Sequence, residues 1–540
     1  MKKIICLLTA FVLMMSVMTG CSQSTNSSKT EGTKKISYAL SQEPETLDPT
    51  LNVYARSSIV LQNLFRGLYK RDTDGILVPA LAESYTISDD GLVYTFKLKN
   101  GLKWSDGTTL TAKDFEYSWK RVLNPDVASP VAYEMFYIKN GEKYNKGEAT
   151  VDEVGVKALD DNTFEVTLEN PTAYFVDLTA ASSFFPVKKE FVEASEPWTK
   201  SPATYASTGP FMLKEIKPQE KYVLVKNPNY VDAANVKLDQ LDIVFIESAE
   251  AQLVAYKNDE IQVSDGISSQ ALQEYKDTAE YKVAPRIGTY YLDINNSKAP
   301  FSDPRVRKAL AMVIDRKVII ENILQASYKP AYAFVPYGIP YALDPTKDFR
   351  EVGGDLFKQD VEAAKKLLAE AGFPNGEGFP VLSYKTLNSA SDLDIAQALQ
   401  SMWQENLGIK VEITTYESKV YWDELNNGTY DICRDGWTGD YPDPMTNLAI
   451  LHINESADDT RWSGAKAEKF SAYLDANKKT IDQNIRTQNF LDAESILMDD
   501  MPVIPVYFMS STYLVKENIT GVFKNFIGHT IFEYADVIQK

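Results

Sequence analysis

Residues 99–125 read KNGLKWSDGTTLTAKDFEYSWKRVLNP, from Lys99 to Pro125. The stretch opens on Asn100-Gly101, a turn pair, because glycine takes up positive φ without steric cost. Just upstream, Val93-Tyr-Thr-Phe-Lys-Leu98 alternates apolar and polar residues with period two and reads as a strand that ends at this turn. Downstream, Thr111-Ala-Lys-Asp114 has the form of a capping box, in which a threonine and an acid three residues on satisfy free helix N–H groups. It opens an amphipathic helix that Pro125 closes. Strand, turn, capped helix: the fold is of mixed α/β type here.

The mixture continues outward. Val156 to Asp160 and Thr163 to Leu168 flank a polar turn and read as a hairpin. Asp303-Pro304 is an N-cap with proline in the first turn, starting a helix with Val306, Leu310, Val313 and Ile314 inward. Asp360 to Ala371 is another helix, stopped by Gly372. No internal repeat interrupts this alternation. The 31 Tyr, 24 Phe and seven Trp imply extensive aromatic packing or aromatic-lined pockets, and composition leaves both open.

The N-terminus is different. Lys2 and Lys3 precede an apolar run from Ile4 to Met18, too short to span a bilayer and of the length of a signal-peptide core. It ends in Met18-Thr19-Gly20-Cys21, which resembles a bacterial lipobox, with Met18 where Leu is commoner. Residues 1–20 are read as a lipoprotein signal peptide and Cys21 as the lipidated residue, the alternative being an ordinary secretory signal with an incidental cysteine. Residues 21–34 are polar and read as a flexible tether. Beyond residue 34 no run of 18 apolar residues occurs. Loss of Lys2 and Lys3 takes the formal charge from −19 to −21, which argues against nucleic-acid binding. The mature chain would keep only Cys21 and Cys433, so lipidation of the first leaves no intramolecular disulfide. Its 520 residues exceed one ordinary core and suggest two or more lobes.

Enzyme chemistry is argued against mainly by omission. The two histidines, His452 and His529, are far apart, and no HExxH, CxxC, GxSxG, P-loop or GxGxxG pattern occurs. No metal or cofactor is expected. Cys433 reads as a small buried strand residue rather than a nucleophile. Asp72-Thr-Asp-Gly75 lacks the third acid and closing Glu of a calcium loop and reads as a plain turn.

Residues 99–125, GVKALDDNTFEVTLENP (155–171), STGPFMLKE (207–215), YYLDINNSKAPFSDPRVRKALAMVIDR (290–316), AAKKLLAEAGF (363–373) and RDGWTGDY (434–441) together resemble the peptide-binding proteins of ABC importers. This is the large extracytoplasmic solute-binding family typified by oligopeptide-binding proteins. The resemblance covers nearly all of residues 35–540. It implies the large, cluster C type of the periplasmic-binding-protein fold: two lobes, crossing strands, an extra domain inserted in the first lobe, and a hinged cleft. Mapped here, domain I is 35–64, 188–288 and 508–540, domain II is 65–187, and domain III is 289–507.

The resemblance also implies roles. An extended peptide pairs its backbone with protein strands across the cleft. Gly436 and Thr438 match positions whose main chain pairs with it, and Tyr54 and Ala55 align with a segment on the opposite lobe that pairs likewise. Glycine at 436 would let backbone approach closely. Asp440 matches the aspartate that takes the peptide's α-ammonium group, or it is a turn-initiating acid. Arg434 matches an arginine that meets a short peptide's carboxylate, or it pairs with Asp435 or another acid. Trp437 is a pocket wall or plain core. Tyr133 lies near, not at, a tyrosine of the enteric relatives, which falls on Val131. Asp394 stands where those relatives use a histidine to hold the carboxylate of a four-residue peptide. An acid there favours longer peptides, peptides with a solvated end, or a different cationic partner.

The expected function is therefore a lipid-anchored binding component, catalysing nothing, that delivers oligopeptides to separate permease and ATPase chains. The alternatives are a binder of dipeptides, cell-wall peptides, peptide pheromones or a nickel complex and, from another class, a surface peptidase. The expected partners are peptide and lipid bilayer, with the protein a monomer on the outer side of the cell membrane, or facing a periplasm.

Overall fold

The computed structural model describes residues 33–194, 197–454 and 459–538. The signal peptide, Cys21 and the tether through residue 32 lie outside the described residues. The body begins with strand β1 (Lys35–Leu40) and helix α1 (Ala55–Leu64). The expected strand Val93–Leu98 follows, and the chain turns at Asn100-Gly101 with Gly101 at φ +71°. Helix α2 (Ala112–Leu123) starts at the capping box: the Thr111 N–H donates to Asp114 Oδ2 at 2.7 Å. Its buried face, including Phe115 and Trp119, covers a four-stranded antiparallel sheet of Ala82–Ile87, Val93–Leu98, Thr163–Thr167 and Val156–Asp160. Trp119 meets Phe164 and Phe184 edge-on, and its Nε1 donates to the Phe184 carbonyl at 2.9 Å. The Asp72 turn is a plain one, with the carboxylate accepting from the N–H groups of Asp74 and Ile76.

An eleven-stranded sheet carries the rest. Its spine is two long antiparallel strands, β2 (Tyr281–Ile294) and, much later in the chain, Val503–Val515. On one side of that pair lie β1 and its neighbours. On the other lie β3 (Ile432–Thr438), Leu382–Leu387 and Val411–Tyr416; the strand Val503–Val515 is β4. The expected boundaries at 288/289 and 507/508 fall inside β2 and β4. At that place the ladder is irregular: Pro285 opposes Ser510 and Thr289 opposes Phe508, so Arg286, Ile287 and Gly288 face the single residue Met509. Such a bulge bends a strand and re-aims its side chains.

The helix capped by Asp303 runs Pro304–Met312, and that capped by Asp360 runs Val361–Glu370 before Gly372 at φ +99°. Val306, Leu310, Val313 and Ile314 are buried as expected, beside Trp403 of helix α3 (Ala390–Leu407). Cys433 is a free, fully buried thiol on β3.

Candidate ligand-binding cleft

β3 is paired on one side only for most of its length. β2 pairs with all of it, from Ile294↔Ile432 to Gly288↔Thr438, whereas Leu382–Leu387 pairs only with Ile432 and Cys433. The Gly439 N–H donates to the Ile287 carbonyl at 2.8 Å. That phase turns the main chain of residues 435 and 437 toward β2 and of 434, 436 and 438 toward the open edge. Tyr421 Oη donates to the Arg434 carbonyl, and the Gly436 N–H donates to Asp435 Oδ1 at 2.6 Å. The Gly436 carbonyl and both main-chain groups of Thr438 remain on an unpaired strand edge, the kind of surface that accepts an added strand. A Cβ at 436 would lie 3.2 Å from Met509 Cε, a contact that a small shift of that flexible side chain relieves.

The open edge borders a cavity of about 350 Å³. Of the residues singled out from the sequence, Ala55, Tyr133, Thr438 and Asp440 line it together. Two adjoining cavities continue the cleft. One shares Gln62, Ala181, Asp440 and Ile527 with the first, and the other shares Arg71 and Asp177 with the second.

Asp440 has the chemistry of a cation site. No donor or cation among the described residues meets its carboxylate; only its N–H is engaged, donating to Thr446 Oγ1 at 3.0 Å. The capping acid of this loop is Asp443, which accepts from the Met445 N–H and pairs with Arg486 at 2.9 Å, so the turn-initiating alternative falls to a neighbour. Asp440 is open to the cleft, but the surrounding walls withdraw enough water to push its carboxyl up to about 6. Glu134, unmarked in the sequence, lines the same cavity. Burial first, and the charge of Asp440 second, push it up to about 7, against a hydrogen bond from Ser183 Oγ. Two acids face one cavity, and one of them is unpaired among the described residues.

The remaining sequence candidates take other places. The Tyr54 N–H donates to Asn52 Oδ1 at 2.9 Å and its carbonyl accepts from Ser58, so its main chain is engaged within the protein. Ala55 is the first residue of α1 rather than part of an extended segment, which leaves its N–H among the free donors of a helix start. Tyr133 is 56 % exposed at the cavity wall. Arg434 is an ion-pair partner of another acid: its Nε meets Asp392 Oδ1 at 3.2 Å. Asp392 also accepts from Ser389 Oγ at 2.5 Å and Tyr290 Oη at 3.3 Å. Asp394 lies two residues further along α3, about 200° around the helix. It is exposed, away from Arg434 and from the cavity lining. Trp437 is half-buried against the larger core, away from that lining, with its Nε1 buried and without a partner among the described residues. Sequence reading also missed Arg286 and His529, both on the cavity wall. Burial, then Lys524 and Arg286, hold His529 down at about 3, so its imidazole is neutral.

The sequence profile of the bacterial extracellular solute-binding proteins, family 5 (middle region), matches residues 77–458. The chain is 33 % identical over 553 residues to the oligopeptide-binding protein OppA of Bacillus subtilis, covering 99 % of each. It superposes on the unliganded open form of the periplasmic murein tripeptide-binding protein MppA with a TM-score of 0.82 at 31 % identity, covering 94 % of this chain and 98 % of that one. Peptide-bound Listeria monocytogenes OppA gives 0.70 at 29 % identity, covering 94 % and 100 %.

Proposed function

The chain belongs to the bacterial extracellular solute-binding proteins of family 5, which bind substrate rather than transform it, and from that premise we propose that it captures oligopeptides for an ABC importer. The peptide lies in the cleft, its ammonium end against Asp440 and its backbone along the open edge of β3, and is passed to a separate permease. Domain I (35–64, 188–288, 508–540) and domain II (65–187) form one wall and domain III (289–507) the other. Cys21 carries the lipid that holds the protein outside the cell membrane.

The observation that carries this reading is the Asp440 carboxylate, open to the cleft and unpaired beside an unpaired strand edge. Strand addition makes affinity largely independent of peptide side chains, while the carboxylate fixes register and direction. The test is calorimetry with a free-amine peptide and its N-acetylated counterpart. The free amine should bind and the acetylated form poorly, and Asp440→Asn should weaken the free amine by roughly 2–5 kcal/mol where the bound peptide buries the charge pair. Equal affinity for the two peptides would sink the assignment. Mass spectrometry of ligand released on unfolding would identify the natural cargo. The likeness to a murein tripeptide-binding protein supports a second reading in which that cargo is a short cell-wall peptide.

A further inference from the structure

The three adjoining cavities are lined by several cations. Arg66 pairs with Glu533 at 2.7 Å, Lys70 with Glu533 at 2.5 Å, and Arg486 with Asp443 at 2.9 Å; Arg71 pairs with Asp177. Arg286 is the exception. Among the described residues no carboxylate meets its guanidinium; its Nε, like those of Arg66, Arg71 and Arg486, is buried without a hydrogen-bond partner. Burial disfavours its charge, with only Tyr328 acting to restore it. An uncompensated guanidinium in a cleft is costly unless something arrives to meet it.

Its placement is specific. Arg286 is the first residue of the bulge in β2, where the ladder to β4 is broken. Ile287 beside it is fixed from both sides, its N–H donating to the Phe526 carbonyl at 2.9 Å and its carbonyl accepting from Gly439. The bulge therefore turns Arg286 into the cavity that Asp440 and Glu134 also line. His529, neutral on the same wall, neither repels an anion nor competes for one.

Resting on the peptide reading above, we propose that Arg286 is a carboxylate-binding residue of the cleft, receiving either an acidic side chain near the peptide's N-terminus or the C-terminal carboxylate of a very short peptide. Arg286 precedes Ile287, the residue that holds Gly439, and Gly439 precedes Asp440, so the unpaired guanidinium and the unpaired carboxylate flank one backbone contact. A ligand held by its ammonium at Asp440 thus carries only its first few residues past Arg286. Guanidinium and carboxylate match as a bidentate pair, and the site is preorganised by the bulge.

The test uses two pairs of peptides, measured by calorimetry on the intact protein, Arg286→Gln and Arg286→Lys. Ala-Glu-Ala-Ala-Ala amide against Ala-Gln-Ala-Ala-Ala amide reads the side-chain source. Ala-Ala-Ala acid against its amide reads the terminal source. At least one acidic member should bind wild type about tenfold tighter than its neutral partner. Arg286→Gln should abolish that preference while leaving the neutral peptides within about twofold, and Arg286→Lys should keep part of it. Unchanged binding of the neutral peptides also certifies that the variant is folded. Neutral peptides that bind with no preference in wild type, or a preference that survives Arg286→Gln, would overturn the assignment alone. Failure of every peptide to bind wild type would overturn the peptide reading and this assignment with it.

Discussion

Asp440 and Glu134 sit in the cleft with carboxyls pushed up to about 6 and about 7, mainly by loss of water. A raised carboxyl holds its proton until something favours the charged form, and a peptide ammonium does so. Binding of a free-amine peptide near pH 6 should therefore release protons, seen as a dependence of the calorimetric heat on the buffer's ionisation enthalpy. Affinity should climb as pH rises from 5 to 7.5, by up to about tenfold per unit for each group that must ionise. Asp440→Asn should flatten the slope. In the empty protein the same shifts cost stability as pH rises from the unfolded carboxyl range, about 4, through these raised values. Asp440 was legible because its neighbours form a motif. Arg286 and Glu134 were not, because a bulge and a fold-level encounter place them. Position 394 makes the same point: an alignment finds the acid, but helix periodicity decides which of Asp392 and Asp394 turns inward. Asp394→His should thus leave the acid-versus-amide difference of four-residue peptides unchanged. Asp392→Asn should free Arg434 and strengthen binding of peptides ending near it, both read by calorimetry.

At the level of elements, the sequence spoke clearly wherever the cause was local. The Thr111 box, the Asp303 and Asp360 caps, the Asn100-Gly101 turn and the 156–168 hairpin all have signals within a few residues of the structure they produce. Sheet order had no such signal, since β2 and β4 pair across more than 200 residues of chain. Two elements carry testable energetics. Trp119, wholly buried on α2 with a satisfied N–H, should cost about 3–5 kcal/mol on replacement by alanine, measured by urea unfolding. The C-terminal segment is fastened by Glu533, buried and shared between Arg66 and Lys70. Burial pushes this carboxyl up, but the two cations win and hold it at about 2. Its stabilisation is present above the unfolded carboxyl range and is lost as pH falls toward 2. Glu533→Gln leaves Arg66 uncompensated and Lys70 with only Asp232, and should destabilise by about 3–5 kcal/mol at neutral pH, with much of that difference gone below pH 3.

For the whole molecule, the question is what closes the cleft. The chain superposes better on a relative in an unliganded open form, at a TM-score of 0.82, than on a peptide-bound one, at 0.70, and three adjoining cavities run along its cleft. β2 and β4 run continuously past the expected domain boundaries, so any hinge must lie within them, and the Arg286–Gly288 bulge is where their ladder gives way. A hinge concentrates its φ/ψ change in a few such residues. Some contacts already join the expected second and third domains, notably the Tyr174–Tyr441 stack at 4.3 Å. Closure should therefore pivot around that end and sweep the far end of the cleft shut. A ligand shifts this equilibrium only by what it gains in the closed state over the open one. A peptide that bridges the Asp440 wall and the opposite lobe gains more when closed; one that touches a single wall gains nothing. Small-angle scattering should show a smaller radius of gyration with saturating free-amine peptide and none of that contraction with the N-acetylated form at equal concentration. Contraction with both would mean that strand pairing alone drives closure and that Asp440 acts on affinity without acting on the hinge.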